Sequence, residues 1–165
     1  MTRLTLGIAA ATFLLTACTQ RPAKPADSAF AALQTRGASA MGVDQYTSSH
    51  VFEPLPDGGR IVLQRDTADV AGTAQIREHM QDITKRFAAG DFSIPGFVHA
   101  QTVPGTAVMS ARNTFIAYTP DTLPRGGQVR IVTKDTAAVT AIHKFLAFQR
   151  MDHRVADHAQ HMAKP

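Results

Sequence analysis

The sequence predicts an α+β domain in the order ββα-ββα, with a four-stranded, mainly antiparallel sheet and two helices on one face. Two observations carry this. Runs of alternating apolar residues meet at a glycine-containing turn, and the arrangement occurs twice. After each hairpin, apolar residues recur every three or four positions, the period of an amphipathic helix. Composition agrees, since 44% hydrophobic and 18% charged residues over 165 positions suit one packed domain and exclude wholesale disorder.

The first hairpin runs from His50-Val51-Phe52-Glu53-Pro54-Leu55 through Pro56-Asp57-Gly58-Gly59 into Arg60 to Arg65, where Ile61 and Leu63 alternate. Asp66 or Thr67 is placed to cap the following helix, whose stripe is Ile76, Met80, Ile83 and Phe87 and whose end is Ala88-Ala89-Gly90-Asp91. The second pass begins at Asn113, with Phe115 to Thr119 and Gln128 to Thr133 as strands and Pro124-Arg125-Gly126-Gly127 as the turn. Asp135 or Thr136 caps a second helix with the stripe Val139, Ile142, Leu146 and His153. Leu55-Pro56-Asp57-Gly58-Gly59-Arg60-Ile61 sits over Leu123-Pro124-Arg125-Gly126-Gly127-Gln128-Val129, so the two halves read as a repeat. Tight turns here call for positive φ among Gly58, Gly59, Gly126 and Gly127.

Four segments follow from this reading: residues 1–17 as an export signal, 18–40 as a tether, 41–155 as the domain and 156–165 as a polar tail. The Ala-, Pro- and Ser-rich stretch 19–40 has no sustained apolar period and allows at most a short, weak helix around Ala26–Leu33. Between the halves, Gly90 to Arg112 holds Phe92, Ile94, Phe97, Val98, Val103, Val108 and Met109. It is too apolar for a solvated loop, so it is expected to pack across the open side of the domain.

Arg3 is the only charged side chain in the first 20 residues, and the apolar run Leu4 to Leu15 ends in Leu15-Thr16-Ala17-Cys18. A charged start, a short apolar stretch and small residues at the cut describe an export signal. The Leu-Thr-Ala-Cys ending resembles the lipobox of bacterial lipoproteins, in which the Cys is acylated and becomes the first residue. That resemblance implies lipidation at Cys18, a palmitate-type anchor and a periplasm-facing position at the cell envelope, the outer membrane being favoured by Thr19 after the Cys. Cys18 is also the only cysteine, which excludes an intramolecular disulfide and a cysteine-based zinc knuckle.

Catalytic signatures are missing: there is no phosphate loop, no Gly-x-Ser-x-Gly, no His-Glu-x-x-His and no calcium loop. Glu53 and Glu78 are the only glutamates and lie in different elements. Basic residues are scattered and no aromatic platform interleaves them, which argues against nucleic acid as a partner. Histidine is the chemistry that remains. His50 shares a strand face with Phe52, while His79 and His143 border the two helix stripes. His50, His79, His99 and His143, with Met109 as a soft donor, therefore form a candidate metal or ligand set suited to Zn or Cu.

Met41-Gly42-Val43-Asp44-Gln45, Ser49-His50-Val51-Phe52, Asp57-Gly58-Gly59, Gly90-Asp91-Phe92, Pro104-Gly105 with Met109, and Ala141-Ile142-His143-Lys144-Phe145-Leu146 with Gln149 resemble a family of small exported bacterial proteins of unassigned activity. The resemblance covers about residues 41–153 and implies no catalytic residues. Members are sometimes labelled aspartate carbamoyltransferase, yet the Ser-Thr-Arg-Thr loop and His-Pro-x-Gln segment of that enzyme are absent here. The expectation is a lipid-anchored periplasmic binding domain that uses histidines for a transition metal or small ligand. The alternative is an envelope scaffold without a ligand.

Overall fold

A computed structural model describes residues 25–155; the export signal, Cys18 and the tail 156–165 lie outside them. The chain forms α1 (Pro25–Met41), a 3₁₀ turn at Gln45–Thr47, β1 (Ser48–Leu55), β2 (Gly58–Arg65), α2 (Val70–Ala88), α3 (Ser93–His99) and α4 (Thr106–Ala111). A second 3₁₀ turn at Asn113–Phe115, β3 (Ile116–Leu123), β4 (Gly126–Thr133) and α5 (Thr136–Asp152) complete it. The ββα-ββα order is present, and all strands pair antiparallel in the spatial order β1-β2-β4-β3.

The repeat is a structural one. Ile61 and Val129, which match in the sequence alignment of the halves, are directly paired across β2 and β4. A local two-fold axis therefore passes between them and relates one hairpin to the other. His50, Phe52, Ile61, Leu63, Val129, Ile131, Ile116 and Tyr118 share the sheet face that carries both long helices. Each helix crosses over: α2 packs mainly on β3 and β4, and α5 on β1 and β2.

Glycines keep the layers close. A Cβ on Gly59 would stand 2.3 Å from Leu146 on α5, and one on Gly127 would stand 3.3 Å from Met80 on α2. Only Gly58 of the four turn glycines has positive φ, at +141°. The other three are required by close approach between strands and helices rather than by turn geometry, which corrects the reading from turn chemistry.

Asp69, not Asp66 or Thr67, caps α2 by accepting from the Gly72 N–H at 3.0 Å, while Asp135 caps α5 by accepting from Ala138 N–H at 2.9 Å. Asp66 and Thr67 stand too far upstream, because the chain leaves β2 through a short bend before the helix begins. Replacing either cap by Ala should cost on the order of 1 kcal/mol, read as a lower urea midpoint with an unchanged denaturant slope.

Two further expectations change. The segment expected to be a tether instead holds α1 from Pro25 onward, anchored by buried Leu33 and by Arg36 Nε donating to the Val98 carbonyl at 2.7 Å. The apolar 90–112 stretch does pack on the domain, but as α3 and α4 with Val98, Val103 and Met109 buried. Helix α3 lies under α1, and α4 lies along α5. Among the described residues, no helix is long and apolar enough to cross a membrane.

Candidate functional site

The two-fold relation lets each residue of one half be compared with its counterpart in the other. Aligned on their Asp caps, α2 and α5 match Ile76 to Ile142 and Met80 to Leu146, and then diverge: Ile83 faces Gln149 and Phe87 faces His153. The strands diverge at the same corner, with Tyr118 matched to His50. In the first of these corners, Phe87 meets Tyr118 edge-on at 5.9 Å and stacks on Phe92 at 4.5 Å. In the second, His153 stacks on His50 at 5.0 Å and meets His99 edge-on at 5.1 Å. One corner is thus filled with hydrocarbon and the other with imidazole.

The imidazole corner surrounds a cavity of about 70 Å³, with room for a few water molecules at about 10–15 Å³ each. Four histidines line it from different elements: His50 on β1, His79 on α2, His99 on α3 and His153 at the end of α5. Its other walls are mostly apolar, including Phe52, Ile83 and Phe145. The ends of α1 and α3 close it from outside.

Each ring is held differently. His99, buried at 6% exposure, has Nδ1–H donating to Asp152 at 2.5 Å and Nε2 against the Gln149 side-chain amide at 2.8 Å. That carboxylate contact fixes ring orientation and ties α3 to α5. Burial drives His153 down to about 2, helped by neighbouring His50 and His99 and opposed by Asp152, so it is neutral. Burial likewise lowers His79 to about 4, against the pull of Asp82 and a contact with the Ala40 backbone. His153 and His79 are therefore neutral rings set among apolar walls.

Two members of the expected set lie elsewhere. His143 Nε2 meets the Leu55 carbonyl at 2.9 Å, at the turn end of β1. Its counterpart Arg77 donates to the matching Leu123 carbonyl at 2.7 Å, so both side chains tie a helix to a hairpin end. Leu55 is five residues from His50 along the strand, a separation of about 16 Å. Met109 is fully buried in the core and does not line the cavity. Among the described residues no three His, Cys, Asp or Glu side chains are arranged to hold a metal ion. The His50 and His153 planes lie within 18° of each other, so the rings present faces to one another, whereas an imidazole ligates through its in-plane lone pair. The expected cluster for Zn or Cu is not formed in this arrangement.

No family model, characterised protein or solved structure matches the chain.

Proposed function

We propose that this is a lipid-anchored envelope domain that binds a small uncharged ligand in the histidine corner and performs no covalent chemistry. The observation that carries the reading is the broken symmetry: one corner of the fold is packed with Phe87, Phe92 and Tyr118, while its counterpart holds His153, His99 and His50 around a cavity. Polar side chains at positions whose counterparts carry phenylalanine and tyrosine rings cost stability, and such departures from local consistency concentrate at functional sites. A charged ligand would be penalised by the apolar walls, whereas an uncharged one with a donor or acceptor could pair with the neutral rings of His153 and His79. No Ser, Thr or Cys lines the cavity, so its walls offer no hydroxyl or thiol nucleophile. The anchor is read from Leu15-Thr16-Ala17-Cys18, which lies outside the described residues.

The test is a double substitution that copies one half onto the other, His153→Phe with Gln149→Ile. It should raise stability by about 1–2 kcal/mol at neutral pH. Pyrazole, as a small uncharged probe, should raise the melting temperature of the wild type and leave the variant unmoved. A variant less stable than the wild type would make the histidines packing residues and end the reading. A shift produced by Zn²⁺ or Cu⁺ alone would replace the uncharged ligand by a metal that unstacks the rings. For the anchor, Cys18→Ser should abolish labelling by a clickable palmitate, and continued labelling would remove it.

A further inference from the structure

The lipid anchor fixes which side of the domain can face the bilayer. Only six residues separate Cys18 from Pro25, so the start of α1 lies within about 25 Å of an acylated cysteine even when that stretch is fully extended. Two of the six intervening side chains, Arg21 and Lys24, are cationic. The surface around α1 has the composition that suits a membrane boundary. Phe30, Arg36, Met151 and Arg154 line one shallow cleft beside α1. The Arg154 guanidinium lies 4.3 Å over the Phe30 ring, and Tyr46 meets that ring edge-on. Met151 is 69% exposed and Tyr46 59% exposed. Asp27, 3.7 Å from Arg154, and Asp152, which lines the same cleft, balance Arg36 and Arg154, so Arg21 and Lys24 supply the net positive charge on this side.

We propose that this face, built on α1 with Tyr46, Met151 and Arg154, rests on an anionic phospholipid surface. It rests on the reading of Cys18 as acylated. Amphipathic aromatic rings and exposed methionine sit at headgroup depth, while arginine reaches lipid phosphate. Two acyl chains supply the attachment, and the basic and aromatic side chains set the orientation. In this pose α1, which closes the histidine cavity, lies between the cavity and the bilayer, and the bare face of the sheet points into the periplasm.

The experiment uses single-cysteine labelling, because Cys18 is the only cysteine and is consumed as a thioether once acylated. A fluorophore is placed at Met151→Cys and, on the bare sheet face, at Thr119→Cys. Each lipidated protein is reconstituted into phosphatidylethanolamine and phosphatidylglycerol vesicles carrying nitroxide headgroups. Met151→Cys should be quenched severalfold more than Thr119→Cys, and Arg36→Glu with Arg154→Glu should shrink the difference. Equal quenching at the two positions overturns the docking face. Flotation of the wild type reports the anchor separately: if it does not float, the anchor reading fails. The labelled domain, held on nickel-chelating lipids by a hexahistidine tag at residue 18, then reads the face alone.

Discussion

Gly126→Ala should abolish or nearly abolish folding, and Gly58→Ala should come close to it. A Cβ at residue 126 would stand 2.0 Å from the Leu63 carbonyl oxygen, and one at 58 would stand 2.3 Å from the Ile131 carbonyl oxygen. Carbon–oxygen contacts require about 3.3 Å. Both obstacles are backbone of the opposing central strand, so no side-chain rotation relieves them. The strands would have to part by roughly an ångström where β2 and β4 share their ladder, and Gly58 adds the strain of its positive φ. A loss on the order of 3–5 kcal/mol is expected against a total of about 5–15 kcal/mol for a domain. Urea unfolding followed by circular dichroism measures it. Gly96→Ala serves as the control, because its Cβ would meet nothing closer than 3.8 Å. If Gly126→Ala unfolds within about 1 kcal/mol of the wild type, the close approach of the central strands is not what this glycine serves.

Stability should fall steeply between pH 6.5 and 4, before most carboxylates titrate. His153 and His79 sit at about 2 and about 4 in the fold, against 6.5 when exposed. Below pH 6.5 the unfolded chain therefore takes up protons at both positions that the folded chain refuses. Above pH 6.5 both rings are neutral in either state and cost nothing; the penalty accumulates as pH falls from 6.5 toward the folded values. The slope approaches two protons, about 2.7 kcal/mol per pH unit, with an accumulated loss on the order of 3–4 kcal/mol by pH 5. The groups facing His153 are His50 from β1, His99 from α3 and its own neighbour Asp152; only Asp152 favours the charged ring, and burial outweighs it. His153→Phe should halve the slope, leaving the share of His79. Equal slopes in the two proteins between pH 7 and 5 would show that His153 is not held neutral.

Strand and helix positions were legible because each half carries its own period and turn, and because the matched hairpins announce a repeat. Three of the four cavity histidines, His50, His79 and His99, belong to the set expected from the sequence; His153 does not. His50 and His79 could be placed from strand alternation and helix spacing, but His143 was set beside His79 by its distance from Val139 and Leu146. Alignment on Asp69 and Asp135 instead matches His143 to Arg77 and Phe145 to His79, two positions round the helix. His153 already stood on the stripe, seven residues after Leu146, and the half-to-half comparison marks it as the histidine in place of Phe87. What no local pattern could show is the closure of the cavity by α3, since the contact of His99 with Asp152 and Gln149 joins residues about fifty apart. Helix α1 was legible only as a short, weak helix around Ala26–Leu33, because its buried contact is short, centred on Leu33, Gln34 and Gly37, and surrounded by alanines without a sustained stripe.

The crossing of the two long helices means that neither half of the chain is a folding unit. A peptide ending after α2 would leave its own hairpin without α5 and would present a helix shaped for strands it does not contain. Two such peptides could satisfy each other only by pairing head to tail about the same axis. The native chain is in effect that pair joined through residues 89–115. Its first stable structure must therefore await synthesis of the last helix.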